Sequence, residues 1–503
     1  MSTIWGTGEG DLRPTKGYTD LSVLRVRTPL GGTVDRVTDT GTLILFGASG
    51  DLAKRLLLPG LGSLLASPDE NERALVEGLT LLGSGRSDRD EEEWRQQVRD
   101  GLTSGGADED AAGGIADRAR WVAGDPTDAE DLERILGEAE GRPILYFALP
   151  PSIVEKAVDV LRTLDLPDEM RLALEKPFGS DADSAAALNR KLARIVPERQ
   201  VHRVDHFLGQ PTVLNLLGLR FANRVFEPVW NRENIERVEI VYDEKLGLEG
   251  RAAYYDDAGA LVDMLQSHLL QVLAVLAMEP PASVDEVGFR GAIADVLRAT
   301  QVYSGGPVLS GTDAPSRRAR YTAGSVDGRD LPAYADEDGV DPEHKTETLA
   351  EVAVEVKNRR WAGVPFILRS GKAIGDPRRR IEITFRPVAF VPEGLSGRAA
   401  QDRLVIGIHP ETVELDVTMT GNGAPFRLGQ GELGGELEQR PLTEYGEVLR
   451  GVLSGDPTLS VRGDVAEQCW RIVQPVLDAW RADEVPLDEY EAGSEGPASW
   501  SAE

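Results

Sequence analysis

The chain has 503 residues, with 85 acidic against 55 basic side chains and a net charge of −30. That length exceeds one ordinary core and predicts two domains, while the acidic balance excludes nucleic acid and anionic membranes as partners. No stretch of about 18 apolar residues is present to span a bilayer, no basic-then-apolar leader opens the chain, and one cysteine, Cys469, leaves no intramolecular disulfide, so the expected location is cytoplasmic.

Residues 1–40, rich in Gly, Thr, Pro and charge, read as an irregular extension. From Thr42–Phe46 onward, apolar strand-like runs alternate with helical stretches: Leu52–Leu65, Leu79–Gly83, Trp121–Ala123, Ile144–Leu149, Ser152–Leu164 and Arg171–Glu175. This alternation predicts an α/β dinucleotide-binding, Rossmann-like domain over 41–205, built on a parallel doubly wound sheet. Beyond it, strand-like pieces at Val238–Tyr242, Leu349–Val356, Ile381–Phe385, Leu404–Ile408 and Val413–Met419 predict an α+β domain over 206–482. Its sheet is expected to be large and mostly antiparallel. The apolar stretch Leu269–Met278 reads as a core helix, and 483–503 as a mobile acidic tail.

Three places carry candidate chemistry. Gly47-Ala48-Ser49-Gly50-Asp51-Leu52 follows the first strand and opens a helix, where glycines let a backbone approach a pyrophosphate and free N–H groups meet it. The spacing meets the GxGxxG fingerprint only in part. At the tip of the second strand stands Arg86; an acidic residue there suits the ribose of NAD, an arginine the 2′-phosphate of NADP. The third place is a set of segments: Glu175-Lys176-Pro177-Phe178-Gly179, Arg203–Gly209 around Asp205-His206, and Asp263–Gln271 containing His268. Taken singly, Lys176 also fits a surface turn and His268, on a leucine-lined helix side, a core histidine. On an ideal α-helix, Asp263 and His268 would lie about 140° apart. There is no HExxH and no paired CxxC, so no metal site is expected.

In order and spacing, these segments together resemble the glucose-6-phosphate dehydrogenase family. Phe147–Ser152, Leu219–Asn223, Thr346–Thr348, Trp361–Phe366, Arg369–Lys372 and Trp470–Pro475 fit the same pattern. The resemblance implies oxidation of glucose 6-phosphate at the anomeric carbon to the lactone, with hydride passing to NADP (NAD being possible), at the entry to the oxidative pentose phosphate pathway. It implies a homodimer or homotetramer. His268 would be the general base, Asp205 its orienting carboxylate, and Lys176 a bridge between sugar and cofactor. Gly47, Ser49, Gly50, Asp51, Leu52 and Arg86 would serve the cofactor. Glu244 and Asp263 would hold sugar hydroxyls, and His206, Lys372 and the position of Gln210 would face the phosphate. The chain departs from the pattern at Phe207, Gln210, Val262 and His409, where the family has tyrosine, lysine, arginine and commonly glutamine. Two other readings therefore stand beside the first: the same chemistry on a non-phosphorylated or sulfonated hexose, and a catalytically silent relative acting as a regulatory subunit.

Overall fold

The structure is a computed structural model that describes residues 41–500 apart from 251, 422–424 and 438–439. The predicted extension 1–40 lies outside the described residues. The first sheet has six parallel strands, β1 (Gly41–Phe46), β2 (Thr80–Gly85), β3 (Arg120–Ala123), β4 (Arg142–Phe147), β5 (Arg171–Glu175) and β6 (Val201–Val204). Every residue of β1 is buried, as a central parallel strand covered on both faces requires. The order is β3-β2-β1-β4-β5-β6, so successive connections leave β1 in opposite directions. The crevice at the carboxyl ends of β1 and β4 is where such sheets take dinucleotides.

The second sheet is built on β7 (Ile235–Tyr242), β8 (Thr300–Val302), β9 (Ser316–Thr322), β12 (Leu349–Val356), β13 (Pro365–Gly371), β14 (Arg379–Phe385), β15 (Arg403–Gly407), β16 (Thr412–Thr420), β17 (Leu428–Glu436) and β18 (Leu487–Glu491). A small hairpin, β10 (Gly324–Val326) and β11 (Arg329–Leu331), stands apart. The sheet runs β17-β16-β15-β14-β7-β13-β12-β9-β18, with β8 also on β12. It is mostly antiparallel, but β7–β13 and β9–β18 pair in parallel.

Three features differ from the sequence expectation. A loose acidic tail is expected over 483–503; instead β18 closes the sheet there, and Tyr490 and Trp500 are buried. Second, the helix Tyr255–Ala277 is long and apolar enough to cross a membrane, although 89% of its most apolar 18-residue window is buried inside the protein. Third, the helix Glu444–Ser454 belongs by sequence to the second half, yet Tyr445, Val448 and Leu449 join the core formed by Leu57, Leu58, Leu61 and Leu64 of the first. That crossing brings a residue of the C-terminal half to the dinucleotide crevice.

The central helix carries the most consequential local feature. Gly259 breaks it with φ 65° and ψ 177°; a Cβ there would lie 2.4 Å from Glu347 Oε1. The same Oε1 accepts from the N–H of Leu261 at 2.9 Å, capping the restarted helix. Residues Leu261–Leu269 then form a π-helix before α-helical winding resumes at Leu270.

Candidate active site

Strand ends, the π-helix and the crossing helix converge on one cavity of about 520 Å³. Its walls include Leu52, Leu56 and Ala148–Pro151 from the dinucleotide crevice. They also include Glu175, Lys176, His206, Phe207, Tyr242, Glu244, Asp263, His268, Lys372 and Tyr445.

His268 Nδ1 lies 2.6 Å from Asp205 Oδ1, and both residues are almost wholly buried. Asp205 also accepts from the backbone N–H of Phe207, which fixes the carboxylate, and the Phe207 ring stacks on the imidazole at 4.3 Å. Nδ1 is thus the donor, and Nε2 keeps its lone pair with no hydrogen-bond partner among the described residues. Burial pushes the His268 pKa down, against the pull of Asp205. Burial likewise opposes the charge on Asp205, but His268, His206 and Lys176 together offset it and hold the carboxyl below its ordinary value. The pair is therefore a neutral imidazole on an ionised carboxylate, the form a general base needs.

Lys176, immediately after β5, donates to Asp263 Oδ1 at 2.9 Å and to the Asp263 carbonyl. Burial would raise the Asp263 pKa, but Lys176 and Lys372 hold it well below the carboxylate range. An α-helix would set Asp263 and His268 on different sides. In a π-helix the hydrogen-bonded turn closes at the fifth residue, so the two share one side and line one cavity. Just past β7 and β13, Lys372 Nζ meets Glu244 Oε2 at 2.6 Å and lies 5.1 Å from the Tyr255 ring centroid.

His206 stacks on Tyr445 with centroids 5.4 Å apart, and its pKa is pushed down to about 3, first by burial and then by His268. It offers a neutral ring rather than a cation. Gln210 is buried before the helix Pro211–Phe221 and is not among the cavity-lining residues. Tyr146 donates to Glu175, and burial raises that carboxyl to about 7. Sequence reasoning missed Tyr445, Tyr146, Glu175 and Tyr242 as parts of the site. A tyrosine 270 residues after the preceding glutamate leaves no local spacing to read, although Glu175 itself adjoins the singled-out lysine.

At the cofactor end, Gly47 has φ 80°, and a Cβ there would sit 2.3 Å from the Ala148 carbonyl oxygen. Only glycine fits that approach between the ends of β1 and β4. Ser49, Gly50 and Asp51 are exposed at the start of the following helix, with Leu52 turned to the cavity. Arg86 is exposed just past β2 and acts on Asp125 electrostatically. A close-approach glycine, an accessible helix start and a cation at the second strand tip fit a dinucleotide with a 2′-phosphate.

Comparison with known proteins identifies the fold and the family. Residues 44–215 match the family model for the NAD binding domain of glucose-6-phosphate dehydrogenase, and 217–502 the model for its C-terminal domain. A glucose-6-phosphate 1-dehydrogenase of Gluconobacter oxydans is 36% identical, covering 90% of this chain and 94% of the relative. One of Treponema pallidum is 35% identical over 92% and 94%. Among solved structures, a glucose-6-phosphate dehydrogenase in complex with its substrate glucose-6-phosphate aligns with TM-score 0.80 and 30% identity, covering 93% of this chain and 97% of that one. The Mycobacterium avium enzyme aligns with TM-score 0.75 and 31% identity, covering 91% and 96%.

Proposed function

The chain belongs to the glucose-6-phosphate dehydrogenase family, and on that premise we propose that it oxidises glucose 6-phosphate to the 6-phosphogluconolactone, with NADP as acceptor. The observation that carries the reading is the His268–Asp205 pair, with Nε2 free at the cavity that joins the dinucleotide crevice to the Lys372–Glu244 wall.

The anomeric O–H gives its proton to His268 Nε2 as the C1–H bond breaks and C1=O forms. Asp205 stabilises the imidazolium as it appears, since a fixed anion on Nδ1–H favours the charged ring. Bound NADP would supply the acceptor for the hydride that leaves C1. Lys176 and Asp263 hold the ring hydroxyls near His268, and Glu244 with Lys372 holds the sugar from the facing strands. Gly47, Ser49, Gly50, Asp51 and Leu52 would receive the pyrophosphate end, and Arg86 the 2′-phosphate, which favours NADP over NAD. We further propose that the enzyme works as a cytoplasmic homo-oligomer at the entry to the oxidative pentose phosphate pathway.

Steady-state rates with glucose 6-phosphate, glucose and a six-sulfonated hexose, each with NADP and NAD, test the proposal. The highest kcat/KM is expected for glucose 6-phosphate with NADP. A higher value for either other sugar moves the substrate, and no reduction of either cofactor with any hexose favours the silent relative.

A further inference from the structure

The cations of the cavity are already engaged. Lys176 is paired with Asp263 and Lys372 with Glu244, and His206 is neutral. Phe207 and Gln210 bring no charge. A dianionic phosphate on the sixth carbon therefore requires a further cation near the Phe207 side of the cavity. Three consecutive arginines lead into β14, but Arg378 lines a separate cavity with Val241 and Asp243, and only Arg379 pairs across the sheet with the cavity residue Tyr242. Arg378 is drawn to Asp243 at 3.8 Å and Arg380 to Glu382 at 3.0 Å.

Arg379 differs from both. Its Nε donates to the Asp243 carbonyl at 3.1 Å, and its guanidinium lies 5.1 Å from the ring centroid of Tyr242, its cross-strand partner. The two terminal nitrogens meet no carboxylate among the described residues. Tyr242 lines the cavity and packs edge-on against Phe207 at 4.9 Å. Its hydroxyl has no hydrogen-bond partner among the described residues, and burial raises its pKa, so it stays a donor. Gln210 is near the same corner. Two residues on, the hydroxyl of Thr212 donates to the Gly407 carbonyl, and the N–H of Ile408 donates to the Arg379 carbonyl.

We propose that Arg379 and the Tyr242 hydroxyl form the anion-binding end of the sugar site and set its preference for a phosphorylated over a neutral hexose. The guanidinium is held at Nε and over a ring, so its outer nitrogens are presented as a fixed fork suited to phosphate oxygens. This rests on the function proposed above and adds which residues take the charged end.

The test measures kcat and KM for glucose 6-phosphate and for glucose in the wild type, Arg379→Met, Arg379→Lys and Tyr242→Phe. Losing charge-assisted hydrogen bonds predicts that Arg379→Met raises KM for glucose 6-phosphate roughly ten- to hundredfold, far more than it changes kcat. The ratio of specificity constants between the two sugars should collapse by a similar factor. Arg379→Lys should restore part of it, and Tyr242→Phe should raise the same KM severalfold. If the wild type favours glucose 6-phosphate and Arg379→Met keeps that KM within about twofold, the inference is overturned while the function stands. It is overturned in the same way if Arg379→Met loses turnover of both sugars and Arg379→Lys recovers neither preference nor KM. A wild type that oxidises no hexose phosphate overturns the function and this inference with it.

Discussion

His268 is kept neutral by burial and aimed by Asp205, and the same burial acts on two other histidines that the chemistry does not require as cations. His202 donates to or accepts from Ser460 at Nδ1, its Nε2 has no partner among the described residues, and burial lowers its pKa to about 3; His206 is lowered to about 3 as well. Because the unfolded chain takes up protons first, these groups add stability at neutral pH. That stability is lost as pH falls from 6.5 toward 3. Each contributes a slope of up to about 1.4 kcal/mol per pH unit in that window. His202→Gln should therefore flatten the acid-unfolding profile by about one proton's worth, measured as urea stability at several pH values. An unchanged slope would contradict the buried neutral assignment. At this scale the sequence singled out Lys176, Asp205 and His268 because they fall in the short motifs that carry the family resemblance, and it was the resemblance that implied their roles. Tyr445 and Tyr242 were not legible as site residues, because each reaches the site through a pairing or packing contact with residues far away in the chain.

At the scale of elements, the site depends on how the helix is restarted. Gly259 makes the break, Glu347 caps the new start, and the π-helical turn then sets Asp263 and His268 on one side. Glu347 is buried, with its carboxyl raised to about 7 by that burial, so its acceptor role costs solvation that the Leu261 N–H partly offsets. Glu347→Ala should leave this N–H unpaired and speed amide exchange across Leu261–Leu269 by roughly ten- to hundredfold, with a fall in kcat. Glu347→Gln keeps an acceptor and should change exchange far less. Equal effects of the two variants would argue against the cap. Sequence periodicity located this helix but gave it α-geometry, since leucine spacing fits both windings; its start is capped by Glu347, a residue 86 positions beyond Leu261. The parallel sheet of 41–205 was easier to read, because most of its strands contain a short apolar run and they alternate with helices.

Across the whole molecule, the C-terminal segment braces the sugar wall. The Tyr490 hydroxyl donates to the Lys372 carbonyl at 2.7 Å, and the Arg317 guanidinium lies 4.3 Å from the Trp500 ring centroid. Deleting residues from Pro486 onward should lower thermal stability and raise KM for the hexose phosphate, whereas removal of a loose tail would do neither. The segment looked like a tail because its strand is acid-rich, a composition that suits an exposed sheet edge paired through its backbone. Buried Val485, Tyr490, Ala492 and Trp500 mark it as packed. The crossing helix Glu444–Ser454 was equally hidden, since an amphipathic pattern shows that a face is buried but not against which half.

The most direct measurement is the turnover of His268→Asn with saturating glucose 6-phosphate and NADP, alongside circular dichroism. A base role for His268 predicts kcat lower by roughly 10²- to 10⁴-fold with KM and the spectrum close to wild type. A kcat within about tenfold of wild type would contradict His268 as the base.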